Sequence, residues 1–250
     1  MEFPCRKRNL CAAVLCDSFE DGYRVPQSSS GWREAAAMQF RDRREAGKAL
    51  AEKLTAQQHG RLPDPVVLAL PRGGVPVADE IARVLGAPLD VVVARKIGAP
   101  FQPELGVGAV AGDAPPVYDP GLLRQLGLSE RDLAATAEHE HTELKRREEV
   151  YRRGRGPLDL SGRSAVVVDD GVATGSTARA ALRAVREAGP LRTVLAAPVC
   201  SREALEQLSG DADEIVCAYV PPAFGAVGFW YEDFPQLSDE EVLGILHVTK

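Results

Sequence analysis

Val166-Val167-Val168-Asp169-Asp170-Gly171-Val172-Ala173-Thr174-Gly175-Ser176-Thr177 is the stretch on which the reading of this 250-residue chain turns. Ser164 to Val168 is an apolar, β-branched run of the length of a buried strand. Ser176 to Ala188 has helical spacing and is closed by Gly189-Pro190. A strand therefore delivers two adjacent carboxylates to a sheet edge, and a loop of small and hydroxylated residues opens the helix that follows. Unpaired amides and the macrodipole at such a helix start bind phosphate, while carboxylates accept hydrogen bonds from vicinal hydroxyls. The combination predicts a sugar-phosphate site, with Asp169 and Asp170 on the 2′- and 3′-hydroxyls of a ribose and Thr174, Gly175, Ser176 and Thr177 around its 5′-phosphate. A bare Asp-Asp-Gly is as readily a polar turn, so the weight rests on the full string. A Walker loop is excluded, because no GxxxxGK[ST] occurs.

Outward from this stretch, strand and helix signals alternate. Toward the N-terminus, a helix is expected over about residues 40–58 from the spacing of Phe40, Ala46, Ala49, Leu50 and Leu54. Pro65 to Leu70 reads as a strand, Val75 to Leu85 as a helix stopped by Gly86, Leu89 to Ala94 as a second strand and Leu105 to Ala111 as a third. Ser129 to Arg153 reads as a long charged helix with a capping-box start at Ser129 and Asp132. Val194 to Val199, a helix near Arg202 to Leu208 and Ile215 to Val220 continue the series. The expected architecture is α/β, a mostly parallel sheet flanked by helices, with ligands at the carboxyl ends of the strands. His139 and His141 lack the i, i+4 spacing that puts two imidazoles on one helical face, so no metal site is expected there.

Bulk properties narrow the function classes. A net charge of −6 argues against a surface for polyanions in general, and nucleic acid in particular. No apolar run approaches the ~18 residues of a membrane span. The five cysteines, at 5, 11, 16, 200 and 217, have no zinc-knuckle spacing and read as reduced thiols of a cytoplasmic protein. Arg6-Lys7-Arg8 precedes an apolar stretch too short for a signal peptide, ending at Asp17. Residues 1–37 are expected to be a flexible N-terminal extension ending in Gln27-Ser28-Ser29-Ser30-Gly31, with one domain over 38–250.

The string from Val166 to Thr177 resembles the signature of type I phosphoribosyltransferases, and the resemblance extends over roughly residues 38 to 246. It implies a type I phosphoribosyltransferase-like fold with a small hood, here near 221–236, and a helical insertion. It also implies that 5-phosphoribosyl 1-pyrophosphate is bound and transferred to a nitrogenous base or amine. Leu70-Pro71-Arg72-Gly73-Gly74 occupies the place of the family's pyrophosphate loop, making Arg72, Gly73 and Gly74 substrate-binding; the glycines permit close backbone approach. Arg95 to Glu104 resembles the mobile catalytic loop, with Lys96 on pyrophosphate and Glu104 at the acceptor's nitrogen; the same residues could equally be an ordinary hairpin. Ala173 stands where hypoxanthine-type members place an aspartate, and Ala-Thr-Gly is similar to adenine and uracil enzymes.

Pro221 to Asp233 looks like the hood of the purine enzymes, with Phe224 as the residue stacking on the base. The lysine that those enzymes use to read an exocyclic oxygen is missing from Pro198-Val199-Cys200-Ser201-Arg202, which argues against a 6-oxopurine. Phe40-Arg41-Asp42-Arg43-Arg44-Glu45-Ala46-Gly47 matches the Phe-x-Asp-Arg-x-x-Ala-Gly opening of an uncharacterised bacterial branch. Magnesium is implied as an ion bound mainly through the substrate, with no protein cage. A homodimer is admissible. A non-catalytic regulatory sensor of phosphoribosyl pyrophosphate is the alternative function; a nucleic-acid-binding regulator is disfavoured by the charge and the lack of a winged helix.

Overall fold

The computed structural model describes residues 39–58, 62–154 and 156–248, with the side chains of Gln58, Glu104, His247 and Val248 excepted. The expected extension over residues 1–37 lies outside the described residues. In chain order the elements are α1 (Arg43–Gln58), β1 (Pro65–Ala69), α2 (Gly74–Leu85), β2 (Leu89–Val91), β3 (Ala94–Ala99), β4 (Gln102–Ala111), β5 (Val117–Tyr118), α3 (Pro120–Leu126), α4 (Ala134–Arg152), β6 (Ser164–Val168), α5 (Ser176–Glu187), β7 (Arg192–Val199), α6 (Arg202–Leu208), β8 (Glu214–Tyr219) and α7 (Asp239–Val248). Short 3-10 turns at Glu130–Leu133 and Val227–Trp230 complete the set.

Five strands form a parallel sheet in the order β2-β1-β6-β7-β8. β6 is central and wholly buried, which is why its sequence is an uninterrupted apolar run. Its side chains alternate between two cores. Val166 and Val168 join Leu50, Leu54, Val77 and Ile81 from α1 and α2 on one face, and Ala165 and Val167 join Ala178, Leu182 and Val185 of α5 on the other. The expected parallel α/β sheet flanked by helices is the observed one.

The departures concern where elements start and what lies between them. Helix α1 begins at Arg43 rather than near 40, because the Asp42 carboxylate accepts the Glu45 amide at 2.8 Å while Phe40 forms a β-bridge with Tyr231. The expected strand from Leu89 to Ala94 is divided: β2 ends at Val91, and Ala94 starts a second sheet. That sheet is three-stranded and antiparallel, β3-β4-β5, with β4 starting at Gln102 rather than Leu105. The segment from Arg95 to Glu104 thus lies within a β-hairpin turned at Pro100-Phe101. Bulges at Ile97/Gly98 and Gly98/Ala99 and the close approach of Gly98 to the Pro103 carbonyl require a glycine there. Elements α3, β5 and α7 have no counterpart in the sequence reading, being short or interrupted by Gly and Pro. The capping box at Ser129 and Asp132 is present, but it opens a 3-10 turn before α4. His141 bonds the Gly112 carbonyl at 3.0 Å, and no group of three potential metal-ligating side chains occurs among the described residues. No described helix is long and apolar enough to cross a membrane.

Candidate functional site

Asp169 and Asp170 emerge at the carboxyl end of the central strand β6, beside the loop that leaves β1. Parallel pairing of β1 with β6 brings the loops together, since Leu70 donates its amide to the Val168 carbonyl at 2.8 Å. The peptide between Pro71 and Arg72 is cis. Behind it the chain turns tightly against the acidic pair: a Cβ added at Gly73 would lie 1.9 Å from Asp170 Oδ2, and one at Gly74 would lie 2.6 Å from the Val168 carbonyl oxygen. Any side chain at either position would force the two loops apart.

The acidic pair is half-buried. Asp169 accepts the Asp170 amide at 2.9 Å. Burial pushes its carboxyl well above the usual carboxylate range and the neighbouring Asp170 charge adds to this, while the amide bond and the Arg43 guanidinium act the other way. Asp170 is held from both ends: Arg43 Nε donates to its Oδ2 at 2.8 Å, and the Tyr231 hydroxyl donates to its backbone carbonyl at 2.5 Å. Burial and the Asp170 charge raise the Tyr231 phenol, which therefore stays a donor. Arg43 also bonds the Pro235 carbonyl at 2.8 Å and lies over the Phe234 ring, 3.8 Å from its centroid. Phe234 in turn stacks on Tyr231 at 4.8 Å. The sequence places Tyr231 only within the hood segment and Arg43 only in the opening motif; nothing local joins either to Asp170.

The loop from Gly171 to Gly175 is fixed by its neighbours. Val172 bridges to Cys200, and the Ser201 hydroxyl donates to the Ala173 carbonyl at 2.6 Å while accepting the Ala204 amide. Gly171 is required because a Cβ there would meet Val227 of the hood at 2.5 Å. Gly175 has φ of 78° and is the N-cap of α5, with no side chain capping it, so the first-turn amides are left for another acceptor. Ala173 and Thr174 are exposed, and Ser176 and Thr177 half-buried. The stretch from Val166 to Thr177 thus runs from strand through loop into helix.

Other expected residues lie farther out. Arg72 faces Asp239 of α7 at 4.0 Å, and Asp239 accepts the Tyr151 hydroxyl at 2.6 Å. Burial, together with that bond, pushes the Tyr151 phenol up to about 12. Lys96 is exposed on β3 with its stem along Gly106, and Glu104 lies on β4. A cleft of about 460 Å³ separates this hairpin from α4 and is lined by Arg95, Lys96, Thr136, Glu140 and Arg147, with Arg95 Nε bonding Glu140 at 2.7 Å. That cleft does not reach Asp169 or Asp170. Phe224 is half-buried and its carbonyl accepts the Trp230 indole, whereas Phe229 is the exposed hood aromatic at 53%.

Comparison with known proteins agrees with this fold. Residues 41–218, more than half of the chain, match the family model for the phosphoribosyl transferase domain. Two Mycobacterium tuberculosis proteins, from strains CDC 1551 and H37Rv, are provisionally named phosphoribosyl transferases and are 47% identical over 207 residues. The match covers 83% of this chain but 46% of theirs, so the chain spans about half the length of these curated relatives. The crystal structure of TT1426 from Thermus thermophilus is 49% identical, with a TM-score of 0.70 over 84% of this chain and 98% of that one. By the extent of the family match and the identity to these relatives, the chain belongs to the type I phosphoribosyltransferase family.

Proposed function

We propose that the chain transfers the 5-phosphoribosyl group of 5-phosphoribosyl 1-pyrophosphate to a nitrogenous base or amine and releases pyrophosphate. The observation that carries this reading is the contact of Gly73 with the Asp170 carboxylate, which sets a loop suited to pyrophosphate directly against a pair of acids suited to ribose hydroxyls. A single ligand bearing both groups would span them. Asp169 and Asp170 would accept the 2′- and 3′-hydroxyls, and the loop from Ala173 to Thr177 would take the 5′-phosphate on the uncapped start of α5.

In this reaction the bond from C1′ to the pyrophosphate oxygen breaks as the acceptor nitrogen bonds C1′, through an oxocarbenium-like transition state. Negative charge grows on the departing pyrophosphate. The Gly73 amide, Arg72 and Lys96 would offset it, the Gly74 amide being already bonded to the Leu70 carbonyl at 3.0 Å. Arg72 is free to turn toward that charge, because its pairing with Asp239 is long and half-exposed, at 36% and 48%, and such pairs hold little energy. Magnesium would enter with the donor, held by pyrophosphate, ribose hydroxyls and water, and supply further charge neutralisation. Glu104 would take the acceptor's proton, and Phe224 would stack on a base acceptor. The provisional names of the mycobacterial relatives support the same activity.

The test pairs equilibrium binding of the donor with pyrophosphate release over a panel of bases and amines. Glu104→Gln is expected to lower turnover roughly 10²–10⁴-fold, the scale of general acid–base assistance, and to leave donor affinity unchanged. Wild-type protein that binds the donor yet releases no pyrophosphate with any acceptor would replace this reading with that of a regulatory sensor.

A further inference from the structure

We infer that Arg43 is a positioning residue of the ribose site: it fixes Asp170 through Oδ2 and offsets one of the two carboxylate charges, so that a phosphorylated ribose can rest against the pair. The inference depends on the proposed ribose role of Asp169 and Asp170. It adds the segment Phe40 to Arg43 and the hood residues Tyr231 and Phe234 to the ligand-binding apparatus.

Three observations converge on it. The Arg43 side chain is 9% exposed and that of Asp170 13%, so the ion pair is shielded from solvent. Replacing a buried pair by apolar residues is often neutral for stability, so stability alone gives no reason for a charged pair here. The second observation is that the guanidinium is engaged at three points: Nε by Asp170, Nη1 by the Pro235 carbonyl, and one face of the plane by the Phe234 ring. A side chain fixed at so many points can hold its carboxylate partner to one rotamer, which a lysine could not do. The third is that the Tyr231 hydroxyl, stacked beside that same ring, holds the Asp170 carbonyl. Asp170 is therefore clamped at its main chain and its side chain by one assembly of α1 and hood, while Arg43 engages only one carboxylate oxygen.

The ligand supplies the reason for the charge. An ionised acid pair accepts hydroxyls well but repels a phosphate-bearing sugar, and the buried Arg43 guanidinium offsets the charge on Asp170. The other ionisable groups around the pair are the Tyr231 phenol from the hood and the thiols of Cys200 and Cys217 from β7 and β8, with Lys53 of α1 beside the thiols. Arg43 is the cation that acts on Asp169.

Ribose 5-phosphate and inorganic phosphate serve as calorimetric probes of Arg43→Gln and Arg43→Lys across pH, with melting temperatures recorded alongside. Arg43→Gln is expected to weaken ribose 5-phosphate roughly 10–100-fold, the scale of one charge-assisted hydrogen bond. The acid limb of its binding profile should also move to higher pH, because the Arg43 charge no longer opposes burial and Asp170 in protonating Asp169. Arg43→Lys should keep the wild-type acid limb, lose affinity for ribose 5-phosphate and retain affinity for inorganic phosphate. Arg43→Gln with wild-type affinity and profile would overturn the inference, as would equal losses in both variants with the limb unmoved, which is the mark of a structural role alone. If Arg43→Gln does not fold, Arg43→Lys decides: wild-type affinity for ribose 5-phosphate overturns the positioning role. If the wild type binds no ribose 5-phosphate, the ribose reading itself fails. Carboxyl titration by NMR in the ligand-free proteins then judges the Arg43 charge separately: an Asp169 titration that does not rise in Arg43→Gln overturns it.

Discussion

An acid that burial drives toward its neutral form works against folding once it ionises, and Asp169 is such a residue. The sign follows from linkage. With the folded-state value raised above the unfolded one, the unfolded chain releases this proton first, so the contribution of Asp169 to stability falls as pH rises from the usual carboxylate range to the raised value. Asp169→Asn is therefore expected to raise the melting temperature at neutral pH and to remove that part of the pH dependence. The same change should weaken binding of ribose 5-phosphate by roughly 1.5–3 kcal/mol, the worth of hydrogen bonds to a charged group. Calorimetric melting and titration on one sample read both effects, and a variant that binds as tightly as the wild type would remove Asp169 from the site. This residue was legible in the sequence because strand, acid pair and glycine turn are contiguous. Its electrostatic partner was not: Arg43 lies 127 residues from Asp170, and its guanidinium reaches the carboxylate only after α1 and β6 share a core.

Among the elements, the β3–β4 hairpin is the one whose identity the sequence left open. Its glycines and prolines read equally as a mobile loop or as an ordinary hairpin, and propensity does not separate a strand bent by bulges from a loop. The hairpin is tied to α4 by Arg95, which bonds Glu140 with side-chain exposures of 24% and 16%. Its tip carries Phe101, 63% exposed. Arg95→Ala should free the hairpin locally by roughly 1.5–3 kcal/mol. Hydrogen exchange in residues 95–111 should rise in the variant, with the amides of β6 and β7 keeping their protection, since these belong to a different sheet. Protection lost equally in both sheets would mean that the two unfold as a unit. The parallel strands, by contrast, were read correctly in kind, because burial on both faces leaves a continuous apolar run.

At the scale of the whole molecule, the first described residues are clasped to the hood. Phe40 donates its amide to the Trp230 carbonyl at 2.9 Å and accepts the Glu232 amide at 2.8 Å, and the Asp233 amide reaches the Arg41 carbonyl at 2.9 Å. A chain starting at Met38 is expected to melt as cooperatively as the full chain. One starting at Arg44 should lose roughly 3–5 kcal/mol, because Asp170 keeps a buried charge with its partner gone. Thermal or denaturant unfolding of the two truncations separates these outcomes, and equal stability would show that neither the Arg43 partner of Asp170 nor the strand-like clasp at Phe40 contributes. The consequence reaches into biosynthesis. Arg43 and Pro235 are 192 positions apart yet share a hydrogen bond, and Tyr231 must arrive before the Asp170 carbonyl has its donor. A ribosome making this protein therefore releases Arg43, β6 and the two acids before it delivers Tyr231, Phe234 and Pro235, and the clamp on Asp170 is complete only once the hood has left the exit tunnel.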